Sequence, residues 1–413
     1  MLRLFRSRLR PAFMANFLGG GLPTGATFTR GSAGTHYGAD GVLQTVSNNL
    51  PRFDVDGTTL AARGLLMEGA ATNLFLQSEN LSAADWNQTT GTTVSTNVIA
   101  APDGNTTADK IVEDNTTGSH VRGQVVTTSP NQTLTFTTFA KAAEDNLLRL
   151  SMANHASSGN LVGAFFDLTG NGSVTATQNV GNGTGASASI TKLPNGWYRC
   201  SLSGKPDTSG TQVRANHWLV STGTTTTYTG VTGSGLHVWG AQLEATGFHT
   251  SYIATTTATA TRQADRLDVA LPSAHNTARG TLVIETDMPT LTGYTTDRAI
   301  AALFGDANNM MRFAHVGSNH EVRVTESSVA ILTDTTAFAA GVHRAALAYQ
   351  AGSYRSAQDG ATVVSASGAG LTPQNAYHIG HVNNTQPLFG WVRRVTYYPS
   401  ALPNATLQGL TRL

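Results

Sequence analysis

Between residues 123 and 243 the chain is a series of short runs in which apolar and polar side chains alternate. They are GQVVTT from Gly123, TLTFT from Thr133, LLRLSM from Leu147, GAFFDL from Gly163, ASASI from Ala186, WYRCSL from Trp197 and LHVWGAQL from Leu236. A period of two sends successive side chains to opposite faces of a strand, and the turn residues between runs end each one before a helical stripe can develop. Short strands at near-regular spacing specify an antiparallel sandwich or jelly roll rather than β-α-β units around a parallel sheet.

The last third carries the same signature. GTLVIETD from Gly280 opens it, and HEVRVTE from His320 alternates cleanly, with Val322 and Val324 expected inward. Asp359 and Gly360 make a hairpin turn signal between two strands. From Asn404 a short terminal helix is expected, with Leu407 and Leu410 packing back. The expected fold is all-β: two tandem antiparallel β-sandwiches (jelly rolls) preceded by an extended N-terminal anchor arm. The divisions are an arm over 1–25, a loop-rich β connector over 26–77, a jelly roll over 78–255, a Thr/Ala-rich linker over 256–275 and a second sandwich over 276–413.

Composition narrows the function classes. Only 12% of residues are charged, about half the usual share, and Thr, Ser, Asn and 43 Gly take their place. A net charge of +1 gives no reason to expect nucleic acid or an anionic membrane as partner. No run approaches the ~20 apolar residues of a membrane span. The single Cys200 excludes an internal disulfide framework, and its place in an alternating run points to a buried, inert thiol.

The amino end mixes Arg3, Arg6, Arg8 and Arg10 with Leu2, Leu4, Phe5, Leu9, Phe13 and Phe17. Pro11, Asn16 and Gly19 to Gly21 interrupt it, which argues against an export signal. Such a segment cannot bury its apolar groups alone, so it is expected to dock elsewhere, with Arg3, Arg6, Arg8, Arg10, Phe13 and Phe17 as contacts.

Candidate chemistry is sparse. Glu285 and Asp287 alternate on a strand and so share a face, but Pro289 and Thr290 follow where a third carboxylate would stand, so two solvated carboxylates are expected. The pairs His315 with His320 and His378 with His381 lack the companions of a zinc site, and no metal centre is expected. Two Asp/Asn loops, Glu113 to Asn115 and Asp306 to Asn309, offer the oxygen ligands a structural calcium ion takes, at unspecific spacing. No other cofactor is called for. Sugar recognition needs aromatic faces beside polar groups, which singles out Trp86, His217 with Trp218, and Tyr294. Trp197, Trp239 and Trp391 are expected in cores.

The run TFTR over Thr27–Arg30, PRFD over Pro51–Asp54, GLLME over Gly64–Glu68 and TNL over Thr72–Leu74 resembles the segment that opens many tailed-phage head-spike and tail-fibre proteins and the spikes of gene transfer particles. TADKIVE from Thr107, FAKA from Phe139, NGWYRCS from Asn195 and WGAQLE from Trp239 resemble phage jelly-roll modules similar to carbohydrate-binding domains. The close of the chain, YHIGH from Tyr377 and PLFGWVRRVTYY from Pro387, resembles concanavalin-type, laminin-G-like sandwiches.

The resemblance implies a virion surface protein assembled in the bacterial cytoplasm. It would attach to a capsid or tail component through its N-terminus and bind host polysaccharide without catalysis. Two alternatives stand beside it, a polysaccharide-degrading tailspike enzyme and a ligand-free decoration protein. Neither a heptad nor a β-helix period imposes a homo-oligomer.

Overall fold

In the strand Tyr198–Lys205 the residues Tyr198, Cys200 and Leu202 are buried in a core. Arg199, Ser201 and Ser203 therefore point to the other side of the sheet. That division of labour holds along the neighbouring strands and builds the whole molecule. The computed structural model describes residues 10–289, 297–337, 339–370 and 374–413. With 54% strand against 3% helix, its cores lie between sheets. Among the described residues no helix is long and apolar enough to cross a membrane.

The first sandwich has two six-stranded sheets. One runs Thr184–Lys192, Tyr198–Lys205, Leu134–Ala142, Gly235–Glu244, Ala108–Glu113, Thr92–Ile99, all antiparallel. The other centres on Leu147–Asn154 and Gln212–Leu219. Phe136, Leu150, Met152, Phe166, Cys200 and Leu243 fill the space between them. Burial pushes the Cys200 thiol well above its ordinary pKa, so it is inert as expected.

A bulge at Gly240 adjusts the register. The pairing with Leu134–Ala142 shifts between Thr137 and Phe139, so that Trp239 faces Phe139 and Gln242 faces Thr137. Gly240 adopts φ +63°, and a Cβ there would lie 2.9 Å from the Phe139 ring, so only glycine fits. The bulge lets Trp239, Gln242 and Glu244 all reach the outer face while Ala241 and Leu243 stay in the core.

The second sandwich pairs an eight-stranded sheet, built around Arg279–Met288 and Gly390–Tyr398, with a seven-stranded one centred on Arg298–Asp306. Val322 and Val324 face inward and are fully buried, as the alternation requires. Asp359 and Gly360, both at positive φ, turn the chain from Ser353–Gln358 towards Val364–Ser367. The helix Asn404–Thr411 buries Leu407 against the back of the eight-stranded sheet.

The N-terminal quarter departs from expectation. Residues 26–77 are not a connector: Phe53–Val55 and Ala62–Met67 extend the eight-stranded sheet, and Ala26–Thr29 forms an edge of the seven-stranded one. Gly64, at φ +112°, passes so near the Val392 carbonyl that a Cβ would lie 2.5 Å from it. Nor is the whole of 1–25 an arm. Phe13–Asn16 pairs with Gly390–Tyr398, Phe13 stacks on Tyr377 at 5.7 Å, and Phe17 is 1% exposed in the second core. These two aromatics are therefore occupied within the chain, because the sheet edge offers Phe13 backbone partners and the core offers Phe17 a site. Arg10 is exposed, and Arg3, Arg6 and Arg8 lie outside the described residues. The 256–275 stretch is likewise structural: Ala260–Arg262 pairs with Ala71–Asn73, and Arg266–Ala270 lies inside the seven-stranded sheet.

At the junction of these segments lies a buried ion cluster. Arg30 binds Asp265 at 3.1 Å, and Arg52 reaches both Glu68 at 2.7 Å and Asp265. Arg262 approaches Glu68 at 3.5 Å. Most of the remaining hydrogen-bonding groups are also engaged, the Arg52 and Arg262 Nε groups excepted. The Glu68 N–H donates to Asp265, Ser251 donates twice to Glu68, and the arginines donate to the carbonyls of Ser32, Thr35, Ser47 and Gly69. The arginines beside Glu68 hold its carboxyl down, at about 2, against the opposing effect of burial. Three of the motif residues in TFTR, PRFD and GLLME are thus Arg30, Arg52 and Glu68 of a structural hub.

Candidate functional site

The outer face of the first sandwich's sheet is polar along much of its edge, with Phe139 and Trp239 forming an apolar patch beside Arg199. Register places Ser187 opposite Ser203, Ser189 opposite Ser201 and Thr191 opposite Arg199. The next strand adds Thr135 and Thr137, and the one beyond adds Gln242 and Glu244.

The segment from Ala245 to Ile253 lies across the inner half of this face. Thr250 donates to both oxygens of Glu244, Thr135 donates to the Thr246 carbonyl at 2.8 Å, and the Ile253 N–H donates to Gln242 at 2.6 Å. The outer half is left open. It forms the floor of a cavity of about 450 Å³ between the two sandwiches.

Three walls rise from that floor. The hairpin of Gly34–Tyr37 with Leu43–Val46 contributes Thr35, His36, Tyr37 and Leu43. The covering segment contributes Phe248, His249 and Ser251. The second sandwich contributes Leu66, Glu68, Phe389 and Trp391. Phe248 and Phe389 meet edge to face at 4.8 Å across the junction. The Trp391 indole donates to Asp54 at 2.8 Å, and the Arg63 guanidinium lies 3.3 Å from its ring centroid. Asp54 also accepts from the Tyr37 N–H, yet burial pushes its carboxyl up to about 6.

The polar groups of the cavity are unevenly engaged. His249 Nδ1 lies 3.2 Å from Ser201 Oγ, and burial, reinforced by Arg199, pushes the imidazole down to about 3, so it is neutral. Burial also pushes Tyr37 up to about 12, against the pull of Arg199, to which its hydroxyl is bonded. Glu68 is the single carboxylate among the described lining residues, and the hub already occupies it. Such a surface can hold a polar ring through hydroxyl, imidazole and guanidinium groups, with aromatic edges against its apolar side.

None of the described sequence candidates for sugar contact lies here. Trp86 is fully buried against Phe75, its indole donating to the Gln77 carbonyl. His217 is buried between Trp86 and Phe136 and is pushed down to about 3 by desolvation. Trp218 belongs to the other sheet, donates to Ser151 and is covered by the Arg149 guanidinium at 4.7 Å. Tyr294 lies outside the described residues. Trp197 and Trp239 are core residues, whereas Trp391 is half-buried in the cavity wall. The one local sign of the cavity is the outward row Arg199, Ser201, Ser203, polar residues that alternation turns away from the core.

Glu285 and Asp287 are not solvated. Glu285 is held by Arg344, Arg393 and Arg394, and Asp287 takes a two-pronged bond from Arg63. In the two Asp/Asn loops, Glu113 accepts from Tyr228 and Val231, while Asp306 accepts from Asn308 and Asn309.

Asp268, His378 and His381 do converge in the manner of a metal site. Each ring, however, accepts a backbone N–H at Nδ1, from Asn383 and Asn384 respectively, which places the proton on Nε2 facing Asp268. A metal would need those Nε2 lone pairs, so the trio fits a hydrogen-bonded clasp better than a ligand set.

No protein-family model matches the chain, and no curated protein matches it. Among solved structures it is similar to the carbohydrate-binding module of a Ruminococcus gnavus sialidase bound to α2,3-sialyllactose (13% identity, 33% of this chain and 83% of that one, TM-score 0.28). It is also similar to domain 4 of the arabinanase AbnA from Geobacillus stearothermophilus in complex with arabinotriose (13%, 40% and 82%, TM-score 0.30). The LG4-5 domains of the mouse laminin α1 chain show 12% identity over 70% of this chain and 93% of theirs, with a TM-score of 0.25. At these values the likeness carries no functional argument.

Proposed function

We propose that the protein is a glycan-binding spike or fibre subunit of a phage-like particle, holding cell-surface polysaccharide in the cleft between its sandwiches. The cleft carries the binding half of this reading. Its volume lies in the range of ligand sites, roughly 300–1,000 Å³, and it combines aromatic walls with a floor of hydroxyl and guanidinium groups. The residue order of TFTR, PRFD and GLLME supports the particle half. Residues 1–9 would dock to a capsid or tail component, and many copies on one particle would supply avidity to weak sites.

The test of binding is retention of the purified chain on immobilised cell-surface polysaccharide, with Ser189→Trp as the blocking variant. Ser189 is exposed at the cavity mouth, so the variant folds and loses retention. Undiminished retention counts against the cleft. Deleting residues 1–9 leaves a folded chain that no longer joins particles; particles that still carry it count against the docking role.

A catalytic reading draws on the contact between Ser201 and His249. Among the described residues His249 is bonded to no carboxylate, and glycoside hydrolysis requires two carboxyl groups where this cavity presents one. Appearance of reducing ends, unsaturated ends or free acetate on incubation with the polysaccharide decides for that reading.

A further inference from the structure

The charge balance around the cleft is asymmetric. On the side of the second sandwich, Glu68 and Asp265 share three arginines, so the carboxylate in the cavity wall has no capacity left for a further cation. On the floor, Arg199 makes no ion pair among the described residues. Its Nη2 donates to the Thr250 carbonyl at 2.6 Å, its side chain bonds Tyr37, and its guanidinium lies 5.5 Å from the Phe139 ring centroid. Glu244, which feels the Arg199 charge without bonding to it, is filled by Thr250 and Gln242, and burial raises its pKa against that charge. Arg199 is thus a half-buried cation with no carboxylate in bonding range, in an enclosed site where such a charge gains most from one. The row of Ser187, Ser189, Ser201 and Ser203 beside it suits hydroxyl groups next to that anion.

Resting on the glycan-binding reading above, we propose that the cleft selects acidic saccharides: Arg199 receives the carboxylate of a sugar acid while the serine row and aromatic walls hold its ring. The planar fork of guanidinium matches a carboxylate with two parallel hydrogen bonds, which an ammonium group cannot reproduce.

The experiment uses the full chain in affinity electrophoresis and titration calorimetry against three polymers: polygalacturonate, its methyl ester, and dextran. The expected result is at least tenfold tighter binding to polygalacturonate than to either neutral polymer, weakening as salt is raised. Arg199→Gln removes that preference, bringing polygalacturonate binding down to the level of the neutral polymers in the same variant, and Arg199→Lys restores it in part. Ser189→Asp, at the exposed mouth, weakens polygalacturonate binding more than neutral-polymer binding, so the result does not depend on how well the Arg199 variants fold. Equal binding of acidic and neutral polymers, or an Arg199→Gln chain with undiminished preference, overturns the inference while the glycan-binding reading stands. Failure of all three polymers to bind the wild-type chain counts against that reading and takes the inference with it.

Discussion

Arg52 and Arg199 are guanidinium groups at the same junction between sandwiches, yet they are held in opposite ways. Arg52 is fully buried, faces two carboxylates and donates also to Thr35 and Ser251. Arg199 is half-buried, has a carbonyl, a tyrosine and the Phe139 ring for partners, and bonds no carboxylate. A buried charge paired with carboxylates is a structural fixture whose removal strands its neighbours; one without such a pair beside a cavity is a place for a ligand.

The largest effect should come from breaking the carboxylate-paired side. Asp265→Ala leaves Arg30 and Arg52 facing each other without their shared anion, and about 3–5 kcal/mol of stability should be lost by analogy with broken buried pairs. Denaturant unfolding measures it. Arg199→Gln, losing a carbonyl contact, should cost only about 1 kcal/mol. Equal losses would erase the contrast.

A second, smaller effect separates two acids near the cleft by sign. The Glu68 carboxyl is held at about 2 in the folded state, below its ordinary 4.5. Its contribution is present above pH 4.5 and lost as pH falls towards 2. Asp54 is pushed from 3.8 up to about 6, so the folded state holds a proton that the unfolded state releases. Its contribution therefore improves as pH falls from 6 to 4, by up to about 3 kcal/mol. Unfolding curves across this range should show that component in the wild type and not in Asp54→Asn. An unchanged slope in the variant would mean that Asp54 is ionised throughout.

The smallest effect is an expected silence. Trp218→Ala should change polysaccharide affinity less than twofold, because its ring lies on the other sheet beneath Arg149. Loss of binding in this variant would move the site to that face.

Much of the fold was legible from residues close in sequence. Alternation marked Val322 and Val324 as core, the Asp359–Gly360 pair marked a hairpin, and Leu407 marked a helix that docks. These signals are local and need no partner to be read. The N-terminal strands were missed because short edge strands such as Phe13–Asn16 and Phe53–Val55 acquire their identity from a sheet made by distant residues. The hub was visible as the order of TFTR and PRFD, but its meaning depends on Asp265, which lies 235 and 213 positions away from Arg30 and Arg52.

The cavity draws on residues near 36, 188, 200, 249 and 390, and nothing in the linear chain joins them. Aromatic side chains were the wrong guide to it, since Trp86 and His217 serve the core. The better guide was a lone arginine on the outer row of a strand whose inner row is apolar.

Occupation of the cleft between the sandwiches by a saccharide is tested most directly by amide hydrogen exchange of the full chain, with and without saturating polygalacturonate. Protection is expected to gather at residues 187–189, 247–251 and 389–391, with the sheet bearing Trp218 unchanged. Protection on that other sheet, with the cleft segments exchanging as in the free chain, would contradict it.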